Sequence, residues 1–249
     1  MVAALLAAAV LVWFWRWAAV TLVAVAALAG LFASLVSLAG LAVLAVYGFG
    51  CAAYRHVKFD ARVWALWGAL AATTAFLFLH LMPGIAGLKV IGPVNYGAGA
   101  DYEKWVSLDK AGAGLLLLAL ALPISAQALP SAGRAIAALA VAITTPVLVL
   151  GAAVAAGALS WDVTFAGFGI WAVFNLFSVC LAEEAFFRGL IQGRLTGWAS
   201  ERGWSPHPAI IISALVFGLA HFPGGVVLVA ASAMAGLGYG YVYWLSGRI

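Results

Sequence analysis

Charge is what this sequence has least of. Of 249 residues, 12 are Lys or Arg and 8 are Asp or Glu, so 8% are charged while 67% are hydrophobic. Soluble domains run at about 25% charged and roughly 45–50% apolar, so an ordinary soluble chain is excluded. Cysteine is scarce as well. Cys51 and Cys180 both lie in apolar surroundings, which leaves no disulfide framework and no CxxC motif. There is no HExxH helix and no Cys/His ligand cluster, so no metal site is expected and no cofactor is implied. The net charge of +4 is not gathered into a patch, and basic residues fall singly or in small groups between apolar runs. Nucleic acid is therefore not an expected partner. Internal repeats and low-complexity tails are absent too.

What the chain does have is long apolar runs. The mean hydropathy is +1.14, and runs of about 18 residues or more recur, the signature of transmembrane helices. A closed β-barrel needs short alternating segments instead. The expected fold is all-α, a polytopic transmembrane helical bundle of about eight spans forming one integral membrane domain over residues 1–249. Two spans fill the stretch up to Tyr54, with a turn near Gly30. Arg16 then faces the bundle interior, or the first helix is short and three crossings exist. No basic residues precede the first apolar segment and further spans follow, so it reads as a retained helix rather than a signal peptide. Later spans are expected near 64–82, 111–128, 136–159, across the segment after Asp162, and over 208–222 and 226–245. Residues 83–110 form the longest polar connection, of the kind that often carries function. Connections 55–62, 129–135 and 188–207 are net positive and fall on one side, which the positive-inside rule assigns to the cytoplasm. The lack of an organellar targeting segment makes a prokaryotic inner membrane the simplest location.

Against this background "CLAEEAFFRGL", Cys180 to Leu190, places two acids and a base inside an apolar segment. An acid within a span costs about 2.5–3.5 kcal/mol on insertion scales, so it pairs or does chemistry. Glu184 and Arg188 stand four apart with the acid first, the favourable order for a helical ion pair. Glu183 points about 100° away and needs another partner. His221, in "SALVFGLAHFPGG", is the buried candidate nearest in sequence. If the two helices run in opposite senses, both residues lie roughly 20 Å from the cytoplasmic ends, at about 1.5 Å per residue. A carboxylate and an imidazole meeting in a low-dielectric cavity form a general-base pair for water. Plainer readings stand beside this one. EExxxR also fits an interfacial helix end with both acids snorkelling to water, and His221 fits a helix-end histidine on a free carbonyl. His80 has no acidic neighbour in sequence and reads as packed or interfacial. His56 and His207 read as loop residues. Cys180 lies one turn before Glu183, but a buried thiol is ordinarily inert.

"EEAFFR" followed some thirty residues later by "FGLAH" resembles the EExxxR and FxxxH motifs of the CPBP family. That family covers type II CAAX prenyl proteases and bacteriocin-processing relatives, which are glutamic intramembrane proteases. The matching positions are Glu183, Glu184 and Arg188 in the first motif and Phe217 and His221 in the second. The resemblance runs from about Phe165 to the C-terminus and implies a catalytic module over 165–249. It implies that Glu183 and His221 activate the water that attacks a peptide carbonyl. Glu184, Arg188 and Phe217 would support the site. A third motif, HxxxN or similar, is expected on a following helix, and no His or Asn follows "SGRI". The module is therefore expected to be C-terminally incomplete.

The resemblance implies an intramembrane endopeptidase with no cofactor, acting within the lipid bilayer. Its substrate would be a membrane-embedded or membrane-anchored protein or peptide segment, including a lipidated one. Two rivals remain open: a non-catalytic scaffold, immunity or regulatory protein of the same family, and a proton-coupled transporter whose Glu and His titrate during transport.

Overall fold

The computed structural model describes residues 1–57, 61–95, 101–123, 130–157 and 167–248. Nine helices and one β-hairpin make up these residues. In chain order they are α1 (Val2–Leu11), α2 (Arg16–Phe32), α3 (Leu38–His56), α4 (Ala61–Phe78), β1 (Leu88–Asn95), β2 (Asp101–Val106) and α5 (residues 108–121). Then follow α6 (Ala132–Ala155), α7 (Phe168–Glu201), α8 (His207–Leu219) and α9 (Gly225–Ser246). Within α7, residues Ala185–Gln192 form a π-type turn, where hydrogen bonds close from i to i+5.

The architecture refines the sequence reading in several places. Four helices, α3, α6, α7 and the segment Phe222–Ser246, are long and apolar enough to cross a membrane, and four other apolar helices are 10–17 residues long. Among the described residues, the helix lengths therefore do not confirm a count of eight full-length spans. The first helix is short, ending at Leu11, and Arg16 opens α2 with its guanidinium over the Trp17 ring at 5.3 Å. The segment expected to span at 111–128 is instead a helix closing at Ala121 and buried almost all round; residues 124–129 lie outside the described set. A helix apolar on every face belongs in a protein interior as readily as in lipid. The 83–110 connection carries a two-stranded antiparallel hairpin within a mostly helical fold, as an all-α membrane bundle with one ordered connection would have.

The chain divides into two compact units, Met1–Ile124 with Thr164–Phe186, and Ser125–Val163 with Phe187–Ile249. The chain passes from one to the other within α7. In the first unit α5 is the core, with Leu108, Leu117 and Leu118 fully buried. Around it, α3 begins at an N-cap in which the Ser37 hydroxyl accepts from the Gly40 N–H at 3.1 Å. It ends with Arg55 donating to the Leu122 carbonyl at 3.2 Å, a cation placed at the negative helix terminus. Tyr47 and Thr74 join α3 to α4 by a buried 2.8 Å hydrogen bond. Gly114 brings α5 onto α7: a Cβ there would stand 2.5 Å from the Cα of Ala182 and closer still to its Cβ. No larger residue fits this crossing.

In the second unit α8 and α9 cross at small residues. A Cβ on Gly218 would stand 2.8 Å from both the Ala233 Cβ and the Val229 carbonyl oxygen. Small residues let backbones approach, which drives helix packing where hydrophobic burial gives no advantage over lipid. Gln192 donates to the Gly240 carbonyl at 2.8 Å and Ser213 to the Phe187 carbonyl at 2.8 Å, both bonds buried. Along α6 an opposite face of large apolar side chains, Ile136, Leu139, Ile143 and Val147, is exposed. Apolar faces of that extent on helices of this length face lipid. The chain is an integral membrane protein.

Candidate functional site

The hairpin and the first part of α7 meet because their repeats match. Strand alternation puts Tyr102 and Lys104 on one face of β2, about 6.6 Å apart. Helical repetition puts Trp171 and Asn175 one turn apart on α7, about 6 Å along the axis. The pairs engage in order: Trp171 Nε1 donates to the Tyr102 hydroxyl at 2.8 Å, and Lys104 Nζ donates to Asn175 Oδ1 at 2.9 Å. The opposite hairpin face carries Lys89, Glu103 and Trp105. There Lys89 Nζ lies 2.6 Å from Glu103 Oε1 and 5.0 Å from the Trp105 ring centre.

Two turns beyond Asn175 on the same helix stands Glu183. Its Oε1 lies 2.7 Å from Lys110 Nζ, with the two side chains 15% and 21% exposed. Lys110 also lies over the Phe78 ring at 5.7 Å, and Phe78 packs edge-on against Phe186 at 5.5 Å. The backbone that delivers Lys110 is itself anchored. Asp109 is fully buried; its Oδ1 accepts the Lys110 N–H at 2.8 Å and its Oδ2 lies 2.7 Å from His80 Nδ1. His80 follows α4 with φ of 57°, a left-handed conformation in the position a C-terminal glycine usually takes. The Leu81 N–H reaches back to the Phe76 carbonyl at 3.0 Å and completes that turn. Burial holds the Lys104 ammonium below the usual lysine range, and the like charge of Lys110 pushes the same way.

In the second unit Arg188 is fully buried, its guanidinium 4.9 Å from the Phe217 ring centre and 5.7 Å from that of Tyr239. Desolvated cation–π contacts of this kind are worth about 2 kcal/mol. Phe217 also packs at 4.8 Å against His221, whose Nδ1 lies 2.8 Å from the Phe217 carbonyl oxygen. A carbonyl accepts only, so Nδ1 carries the proton and Nε2 is left as the basic nitrogen.

Of the five residues singled out in the sequence, Arg188, Phe217 and His221 come together around the Phe217 ring. Glu183 and Glu184 lie in the first unit, both part-buried. The partner that Glu183 lacked in its own helix is Lys110, 73 positions earlier. His80, read as having no acidic neighbour, has Asp109. Lys104, Lys110, Asp109 and Tyr239 escaped the sequence reading. The usable signal was "SLDKAGAG", where an ion pair in sequence enters an apolar run with no polar spacer. Among the described residues no three His, Cys, Asp or Glu gather as a metal ion would need.

Residues 165–249 match the family described as Type II CAAX prenyl endopeptidase Rce1-like. The match covers the C-terminal third of the chain and contains both motifs, so the resemblance they carried is shown for that stretch. Neither the curated proteins nor the solved structures gave a match to the chain.

Proposed function

We propose that this CAAX-protease-like membrane protein is an intramembrane endopeptidase. It hydrolyses peptide bonds of membrane-anchored or membrane-embedded protein substrates, lipidated ones included, with water activated by Glu183 and His221. The observation that carries this reading is the state of Glu183. It is a part-buried carboxylate inside the family-matched segment, pinned by an ammonium at 2.7 Å rather than left to reach for solvent. One carboxylate oxygen is engaged by Lys110.

In the reaction a water loses its proton to the Glu183–His221 base and its oxygen adds to the scissile carbonyl. The carbonyl electron pair moves to oxygen, then returns as the C–N bond breaks. The departing amine takes the proton the base had accepted. Positioned proton transfer of this kind contributes about 10²–10⁴-fold. Glu184 and Arg188 hold the geometry, and the Phe217 ring supports Arg188 on one side and His221 on the other. The proposed location is a prokaryotic inner membrane.

A second reading has its own support: a lysine–glutamate pair is also what a purely structural carboxylate makes, and a non-catalytic scaffold would keep it. The test uses purified protein in liposomes with two probes, a farnesylated peptide ending in a CAAX sequence and an unprenylated transmembrane peptide. Wild type is expected to cleave at least one, and Glu183→Gln and His221→Gln to lose at least about 10²-fold. No cleavage of either probe by wild type would sink the peptidase reading in favour of the scaffold, and equal cleavage by wild type and Glu183→Gln would remove Glu183 from the chemistry.

A further inference from the structure

The ammonium that pins Glu183 has donors to spare. Lys110 Nζ carries three protons, and one is directed at Glu183 Oε1. The side chain is 21% exposed, so the remaining donors are not sealed in protein. Any water that Glu183 deprotonates must lie within hydrogen-bond reach of that carboxylate, and the carbonyl it attacks must lie beside the water. A cation 2.7 Å from the carboxylate therefore stands next to the place where negative charge develops. Its support at the start of α5 is unusually complete. The backbone N–H of Lys110 is fixed by the fully buried Asp109, whose other oxygen is bound by His80. His80 takes a left-handed backbone conformation, which a residue with a Cβ rarely adopts. Backbone held in that region marks places where the surroundings over-determine a geometry. Lys104 adds a second positive charge close by on the hairpin strand, tied to Asn175.

We propose that Lys110 is a further catalytic residue of the peptidase, the cation that stabilises the oxyanion of the tetrahedral intermediate, with Asp109 and His80 as its positioning residues. The proposal rests on the peptidase reading. The step is balanced: the carbonyl π pair becomes the oxyanion lone pair, the Lys110 ammonium donates a hydrogen bond to it without transferring its proton, and collapse returns the pair as the C–N bond breaks. This gives the start of α5 a role in the chemistry and makes the N-terminal part of the chain, outside the family-matched segment, a contributor to the reaction.

The experiment measures kcat and KM on the farnesylated peptide in liposomes for wild type, Lys110→Met, Lys110→Gln and Lys110→Arg, with Glu183→Gln alongside. Loss of one oxyanion donor costs about 10²–10³-fold in kcat, so Lys110→Met and Lys110→Gln are expected to fall by that factor with KM within about threefold. Lys110→Arg, which keeps the charge, is expected to recover at least about tenfold of the loss. Lys110→Gln keeps a donor toward Glu183, so it decides the matter if Lys110→Met does not fold. A Lys110→Gln enzyme cleaving within about threefold of wild type while Glu183→Gln is inactive overturns the role of Lys110 and leaves the peptidase reading intact. If wild type cleaves no peptide, the peptidase reading fails and this proposal fails with it; if Glu183→Gln cleaves at the wild-type rate, Glu183 is not the base and the role of Lys110 beside it fails.

Discussion

Gly114→Ala is the smallest change that tests how Glu183 is held. The new Cβ would sit 2.5 Å from the Ala182 Cα, where ordinary contact begins near 3.4 Å. The neighbour is backbone in the middle of a helix, so no side-chain rotation relieves the clash, and α5 and α7 must separate by roughly 1 Å. Overpacking of this kind costs about 1–3 kcal/mol. Ala182 immediately precedes Glu183, so the same displacement is delivered to the carboxylate. A misplacement of about 1 Å at a reacting group costs about 10²-fold in rate. Gly114→Ala is therefore expected to lower the thermal midpoint in detergent, followed by tryptophan fluorescence, and to reduce peptide cleavage in liposomes about 10²-fold. Adding Ala182→Gly removes the nearer atom but leaves the Cα in place, so it should restore only part of either loss. A Gly114→Ala protein with unchanged midpoint and unchanged rate would refute the close approach and the positioning argument built on it.

Phe217→Leu removes the ring shared by Arg188 and His221 and is expected to destabilise by about 2 kcal/mol or more, read from the same unfolding curves. Gln192→Leu leaves the buried Gly240 carbonyl without its side-chain donor and should cost about 1–3 kcal/mol. Lys104 predicts a pH dependence in the hairpin. Its folded pKa is depressed below 10.5, so between that value and 10.5 the unfolded strand holds the extra proton and stability rises as pH climbs. Amide-exchange protection of β2, corrected for the intrinsic rate, should rise through that window and lose the rise in Lys104→Met. For Glu103, Lys89 depresses the pKa below 4.5, so the stability it lends the hairpin is present above 4.5 and disappears as pH falls through the folded value. Lys89→Gln should abolish that acid-side loss.

The parts of this molecule legible in the sequence were those set by composition and local pattern. The apolar run 136–159 became α6 within a few residues of its expected ends, and the run 226–245 became α9, because long apolar stretches leave the backbone no alternative to helix. Helix length was less readable. Leu108 to Ala121 is as apolar as a span, yet it is the buried core of the first unit, and hydropathy does not separate lipid from protein interior. The hairpin was missed because Gly92 and Pro93 interrupt β1 and its register slips twice, which spoils the alternation a strand is read from. At the candidate site, the Arg188–Phe217–His221 grouping joins residues of both motifs and follows from them. Lys110 did not, because a partner 73 positions away is set by how α5 and α7 cross at Gly114, and one sequence carries no direct trace of that crossing. Arg188 shows a further limit. Nothing local to its own segment indicates the rings of Phe217 and Tyr239, whose centres lie 4.9 and 5.7 Å from its guanidinium.

The most direct test of the central claim is single-turnover cleavage of the farnesylated peptide in heavy-oxygen water, with mass analysis of the new C-terminal carboxyl. A water activated by Glu183 predicts one heavy oxygen in that carboxyl from wild type in the first turnover, undiminished in Cys180→Ala, and no product from Glu183→Gln. First-turnover product carrying only light oxygen would mean that a side-chain carboxylate, not water, attacks the carbonyl. Heavy-oxygen product from Glu183→Gln at the wild-type rate would remove Glu183 from the chemistry altogether.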